Sequence, residues 1–166
     1  MMQASIVLAA LLAAMAPAAF AHGTSQDKKA ARKESPQVVE EKPFGRAGDP
    51  RKATRTIRIE GRDTMRFTPP AITVKQSETV RFVVKNAGKL THETVLGTKA
   101  ELDEHYELMK KFPDMEHDEP HMVHLKPGET GEMFWQFTKE GEFYFACLIP
   151  GHYEAGMFGT IKVVAR

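Results

Sequence analysis

Cys147 is the only cysteine among the 166 residues of the chain, and His152 and Met157 follow it with four residues between each pair. A second imidazole, His92, lies far upstream in Leu90-Thr91-His92-Glu93. One thiolate, two imidazoles and a thioether are the donor set of a mononuclear type 1 copper site that moves one electron. Soft sulfur suits Cu(I), imidazole nitrogen suits Cu(II), and a near-trigonal arrangement holds both with little rearrangement. Cys147 is expected to supply the strong in-plane sulfur, His92 and His152 the in-plane nitrogens, and Met157 the long axial sulfur. Each residue alone has a plainer reading. A lone cysteine or methionine is usually core filler. The shared spacing, with Pro150-Gly151 before His152 and Gly156 before Met157, outweighs those readings.

Such a donor set needs elements that bring its members together. From Thr56 onward the apolar residues alternate. Ile57 and Ile59, Ile72 and Val74, then Val80, Phe82 and Val84 form three such runs. Met133, Trp135 and Phe137, then Phe143, Phe145 and Cys147, then Ile161 and Val163 form three more. Period two marks half-buried strands. Pro69-Pro70, Asn86-Ala87-Gly88, Lys126-Pro127-Gly128 and Lys139-Glu140-Gly141 separate the runs, as turn residues do. Short strands at this density predict an all-β sandwich. Cys147 then sits at the inner end of one strand. His152 and Met157 lie on the loop that follows it, and His92 arrives from another strand. One segment departs from period two. Thr98-Lys99-Ala100-Glu101 has the form of a helix capping box, with Leu102, Tyr106 and Met109 at helical spacing before Pro113. This predicts a helix over 99–111, followed by a polar loop to about Met122.

On these residues the chain resembles the cupredoxin superfamily, which includes azurin, plastocyanin and rusticyanin. Met65-Arg66-Phe67-Thr68-Pro69, His92-Glu93-Thr94-Val95-Leu96-Gly97 and Cys147-Leu148-Ile149-Pro150-Gly151-His152 are similar to a bacterial periplasmic group that includes copper-tolerance proteins of the CopI type. The resemblance covers about Arg58 to Ala165. It implies a Greek-key β-sandwich and a single copper ion. Glu93 stands where many electron-transfer members carry Asn, so the hydrogen bonds that tune the thiolate are expected to differ.

The rest of the chain bears on export and partners. Residues 1–21 read as a secretory signal: Ile6 to Met15 is apolar and Ala19-Phe20-Ala21 fits the small-x-small cleavage rule. The expectation is cleavage after Ala21 and a periplasmic protein. The apolar run is shorter than the roughly 20 residues of a membrane span, so no stable insertion is expected after signal removal. Residues 22–55 carry nine Lys or Arg against five Asp or Glu with few apolar residues, which predicts a flexible tail. The cupredoxin-like domain is assigned to 56–166. A formal net charge of +1 argues against nucleic acid as a partner. Copper ions and periplasmic redox proteins are the partners expected, with a monomer as the working state. No enzymatic centre is expected, although oxidation of cuprous ion would suit the donor set.

Weaker metal signals stand outside the main set. Met115, His117, His121, Met122 and His124 cluster in one acidic stretch and offer a labile second metal site. A solvated polar loop is the preferred reading. His22, the expected mature N-terminus, is a further candidate ligand, although a terminal residue is more often unstructured.

Overall fold

The computed structural model describes residues 40–113 and 119–166. Eleven strands and one α-helix occur in the order β1 (Glu41–Lys42), β2 (Gly45–Ala47), β3 (Arg55–Arg62), β4 (Arg66–Thr68), β5 (Ala71–Lys75), β6 (Thr79–Asn86), β7 (His92–Gly97), α1 (Lys99–Lys111), β8 (Met122–Leu125), β9 (Thr130–Gln136), β10 (Gly141–Ala146) and β11 (Phe158–Val164). A short 3-10 turn at Pro50–Lys52 joins β2 to β3. The strands form two sheets, ordered β1-β2-β9-β6-β3-β4 and β5-β11-β10-β7-β8. The described residues thus form an all-β sandwich with one inserted helix, the fold class expected from the sequence.

The alternating runs point inward from both sheets. Ile57, Ile59, Val80, Phe82, Val84, Met133 and Trp135 from the first sheet meet Ile72, Val74, Leu96, Phe143, Phe145, Ile161 and Val163 from the second. Burying a side chain of this size contributes roughly 1.5–3 kcal/mol. Cys147 and Met157 belong to the same packed cluster, so both expected sulfur donors are also core residues. The sheets are not purely antiparallel: β3 pairs with β6, and β5 with β11, in parallel.

The helix spans Lys99–Lys111 as the spacing predicts, and its capping box is formed in both directions. The Thr98 side chain accepts from Glu101 N at 3.2 Å, and Glu101 Oε2 accepts from Thr98 N at 3.0 Å. Leu102, Tyr106 and Met109 pack with Val95, Met122, Ala146 and Leu148 in a second apolar cluster. That cluster lies on residues of β7, β8 and β10, directly behind the strand end that carries Cys147.

One boundary differs from the sequence reading. The segment taken as tail up to Arg55 already enters the first sheet, because Arg46 pairs with Gln136 and Ala47 with Trp135. One ring explains it. Phe44 is 1% exposed, stacks on Trp135 at 4.8 Å between centroids, and its carbonyl accepts from Trp135 Nε1 at 3.3 Å. A single aromatic residue among charges leaves no periodic trace. The loop expected to run to about Met122 does end there, where β8 begins and pairs with β7. Residues 1–39, including the expected signal sequence and His22, lie outside the described residues, as do Met115 and His117.

Candidate metal centre

His92 opens β7 at the end of the sandwich and is 2% exposed. Its Nε2 lies 3.0 Å from Asp63 Oδ1. Its Nδ1 is buried with no hydrogen-bond partner. A buried, unsatisfied ring nitrogen costs free energy unless something accepts its lone pair. Asp63, on the turn between β3 and β4, also accepts from Lys89 N at 2.7 Å and Leu90 N at 3.2 Å. Those contacts, led by the Lys89 N–H, hold its carboxyl below the usual carboxylate range. The approach is so close that a Cβ on Gly88 would stand 2.0 Å from Asp63 Oδ1. Asn86 completes the frame. Its Nδ2 donates to Leu90 O at 2.7 Å and Leu125 O at 2.9 Å, and its Oδ1 accepts from Gly88 N at 2.9 Å.

Cys147 follows β10 and is fully buried. Its N–H donates to Met157 O at 3.0 Å, which closes the ligand loop on itself. Burial pushes its thiol up to about 12, with the nearby Glu93 carboxyl adding to the rise. Backbone N–H groups of Glu93 and Ile149 pull the other way. Without metal the group is therefore a protonated thiol at neutral pH. Glu93 N lies 3.5 Å from Sγ, a donor that favours the thiolate once it forms.

His152 Nδ1 stands 3.4 Å from Cys147 Sγ, and its ring centroid is 5.0 Å from that of His92. Burial first, and then the neighbouring His92, lower the pKa of His152, so it presents a neutral ring. One donor atom from each of His92, Cys147 and His152 falls within a 4.8 Å group. Two buried or half-buried imidazoles and a thiol at this separation fit one copper ion, and the unsatisfied His92 Nδ1 would gain its missing partner on binding.

The loop from Leu148 to Met157 is held by its own backbone. His152 N donates to Ile149 O at 2.9 Å, Gly156 N to Tyr153 O at 2.9 Å, and Met157 N to His152 O at 3.1 Å. Gly156 has φ +92°, a left-handed conformation that side chains resist. Arg66 Nη1 donates to Ala155 O at 2.7 Å and to Met65 O at 2.6 Å, tying the loop to β4. Met157 is fully buried, with its Cε 3.1 Å from where a Cβ on Gly61 would stand.

Glu93 is 1% exposed, and its Oε1 accepts from Leu148 N at 2.7 Å. Its Oε2 lies 2.5 Å from His124 Nε2. It thereby links β7, β8 and the residue after Cys147. Asp63 and Gly61 escaped the sequence reading, and Arg66 entered it only as a member of a motif, since each is a common residue on or beside a turn and only proximity reveals its task.

The Met/His cluster is dispersed. His121 lies beside Phe44 and Trp135, Met122 enters the apolar cluster under α1, and His124 turns to Glu93. The described members do not converge on one point.

Comparison with known proteins assigns the chain to a family. A family model described as copper binding proteins of the plastocyanin/azurin family matches residues 53–164. A relative from Rubrivivax gelatinosus, the copper-resistant cuproprotein CopI, is 56% identical over 124 residues, covering 75% of this chain and 74% of its own. A protein of the same name from Pseudomonas aeruginosa is 36% identical over 187 residues, covering 95% and 93%. In fold, the chain is similar to reduced auracyanin from Roseiflexus castenholzii, with a TM-score of 0.58, 20% identity, and 68% and 98% of the two chains covered. The chain belongs to the copper-binding plastocyanin/azurin family and is a cupredoxin of the CopI type.

Proposed function

We propose that the protein is an exported, periplasmic type 1 copper protein that contributes to copper tolerance by holding one copper ion on His92, Cys147, His152 and Met157. The observation that carries the assignment of ligands is the buried His92 Nδ1, which has no partner within the protein and shares one small volume with Cys147 and His152. When bound, copper supplies a one-electron Cu(I)/Cu(II) couple. The chain does the rest. Asp63 fixes the His92 ring, the backbone of Glu93 favours the thiolate, and the surrounding apolar core excludes water. Met157, buried in the same core cluster as Cys147, would supply the second sulfur. The names of the relatives, both copper-resistant cuproproteins, support the tolerance role, and the expected leader supports export. Among the described residues no helix is long and apolar enough to cross a membrane.

Copper loading followed by visible and EPR spectroscopy tests the site. An intense thiolate-to-copper band that disappears in Cys147→Ser is expected, and a colourless loaded protein would overturn the assignment. Deleting the gene tests the role: growth that fails only in added copper is expected. A second reading, a one-electron carrier between periplasmic partners, is favoured by one observation. His152 is only part-buried, and Phe158 and Leu90, flanking the ligand segments, are 45% and 47% exposed. A respiratory defect in low copper would select that reading.

A further inference from the structure

The second apolar cluster leaves a groove of about 420 Å³ between α1 and the β1–β2 arm. Lys42, Glu101, Glu104, His105, Glu119 and His121 supply its polar lining. His121 is the unusual member. It is 7% exposed, and its Nδ1 is buried with no hydrogen-bond partner. The ring is held in place from two sides, 5.7 Å from the Phe44 ring and 5.7 Å from that of Trp135. The backbone is held as well, because His121 O accepts from Leu96 N at 2.9 Å. The orientation of the polar edge is therefore imposed by packing and is not a free rotamer.

Glu119 Oε2 stands 3.3 Å from that nitrogen without forming a hydrogen bond to it. Two donors each about 2.0–2.1 Å from one metal ion lie about 2.9 Å apart at a right angle and about 3.3 Å apart at the tetrahedral angle. The observed separation fits a shared ion. We propose that this groove is a second copper site, binding Cu(II) through His121 Nδ1 and the Glu119 carboxylate, with His105 of α1 swinging in as third donor.

The chemistry of the donors selects the ion. Imidazole with carboxylate suits Cu(II) and Zn(II), and Cu(II) leads the divalent affinity order. Calcium and magnesium prefer all-oxygen shells. Burial, the leading influence, lowers the His121 pKa against the opposing pull of Glu119, so the ring is neutral and has a lone pair to give. Lys42 Nζ lies 3.6 Å from Glu119 Oε2 but also 3.7 Å from Glu40 Oε1. It keeps a carboxylate partner when the metal takes Glu119. His105 must give up its present contact before it can bind, which makes this site weaker than the buried one. The inference does not depend on the type 1 reading, since no residue is shared.

The test uses the full protein already carrying one equivalent of copper, so that His92 and His152 are occupied. A second equivalent of Cu(II) is added and followed by EPR. A second component is expected, with the wide hyperfine splitting of ordinary tetragonal Cu(II). Outer-shell partners alone are worth about 10–100-fold in metal affinity. Loss of a ligand in Glu119→Gln or His105→Gln should weaken the second equivalent at least about tenfold while leaving the visible band of the first unchanged. Absence of a second component overturns the proposal. So does a second component equally strong in both variants, which would assign it to His22 or His117. A protein that lacks the visible band but keeps the Glu119-dependent component would refute the type 1 assignment and leave this one standing.

Discussion

His92 shows how much of a metal centre resides in residues that never touch the metal. Its ring is a ligand candidate only because Asp63 occupies Nε2 and leaves Nδ1 turned into the buried volume. Asp63→Ala frees that ring and also releases the Lys89 and Leu90 amides. Copper affinity is expected to fall about 10–100-fold, measured by competition titration, with far-ultraviolet circular dichroism unchanged. Cys147 gives a pH prediction. Its thiol, raised to about 12 by burial, must lose its proton to bind copper. One proton from Cys147 is therefore released per copper taken up at pH 7. Below 12, apparent affinity rises with pH by up to about tenfold per unit. It falls more steeply in acid, where His152 also takes up a proton, at a pH below the ordinary histidine value because its pKa is lowered. Proton release in weakly buffered solution measures the first effect. A pH series of copper competition measures the second.

Among the elements, α1 has a task beyond filling a connection. It covers the outer side of β7, β8 and β10 through Leu102, Tyr106 and Met109. Tyr153 of the ligand loop donates its hydroxyl to Asp103 Oδ1 at 2.8 Å, and its ring sits 5.1 Å from Tyr106. The helix thus braces the loop between two candidate ligands. Leu102→Ala is expected to cost about 2–5 kcal/mol in denaturant unfolding. Thr98→Ala should cost about 1 kcal/mol by removing the N-cap acceptor. Both should leave the energies of the copper bands nearly unchanged, because neither residue reaches the sulfur.

Over the whole molecule, three of the four proposed donors, His92, Cys147 and Met157, are buried, with Cys147 and Met157 inside the main cluster. The sandwich therefore positions them before metal arrives, and copper adds stability by mass action. The β1–β2 arm closes the same interior at Phe44. Phe44→Ala is expected to cost about 3–5 kcal/mol, read as a lowered denaturation midpoint, with the visible spectrum retained. A lost spectrum would mean that the arm also shapes the copper end.

The nature of the centre was legible in the chain itself. Cys147, His152 and Met157 are close in sequence, and a strand end followed by a short loop with Pro150, Gly151 and Gly156 can fold in few ways. The sandwich strands were legible because alternation is a local record of burial, and α1 because its cap and its apolar face are also local. Other features depend on contacts between residues far apart in the chain, which no local pattern encodes. Asp63 meets His92 across 29 positions, Arg66 meets Ala155 across 89, and Phe44 meets Trp135 across 91. The Met/His stretch shows the opposite case, because closeness in sequence did not bring its side chains to one point. His121, just before β8, packs on Phe44 and Trp135, while Met122 lies under α1 and His124 faces Glu93 further along the same strand. The sequence thus determined which chemistry the chain carries. Tertiary structure decided which atoms support it, because orientation and burial arise only when separate strands pack together.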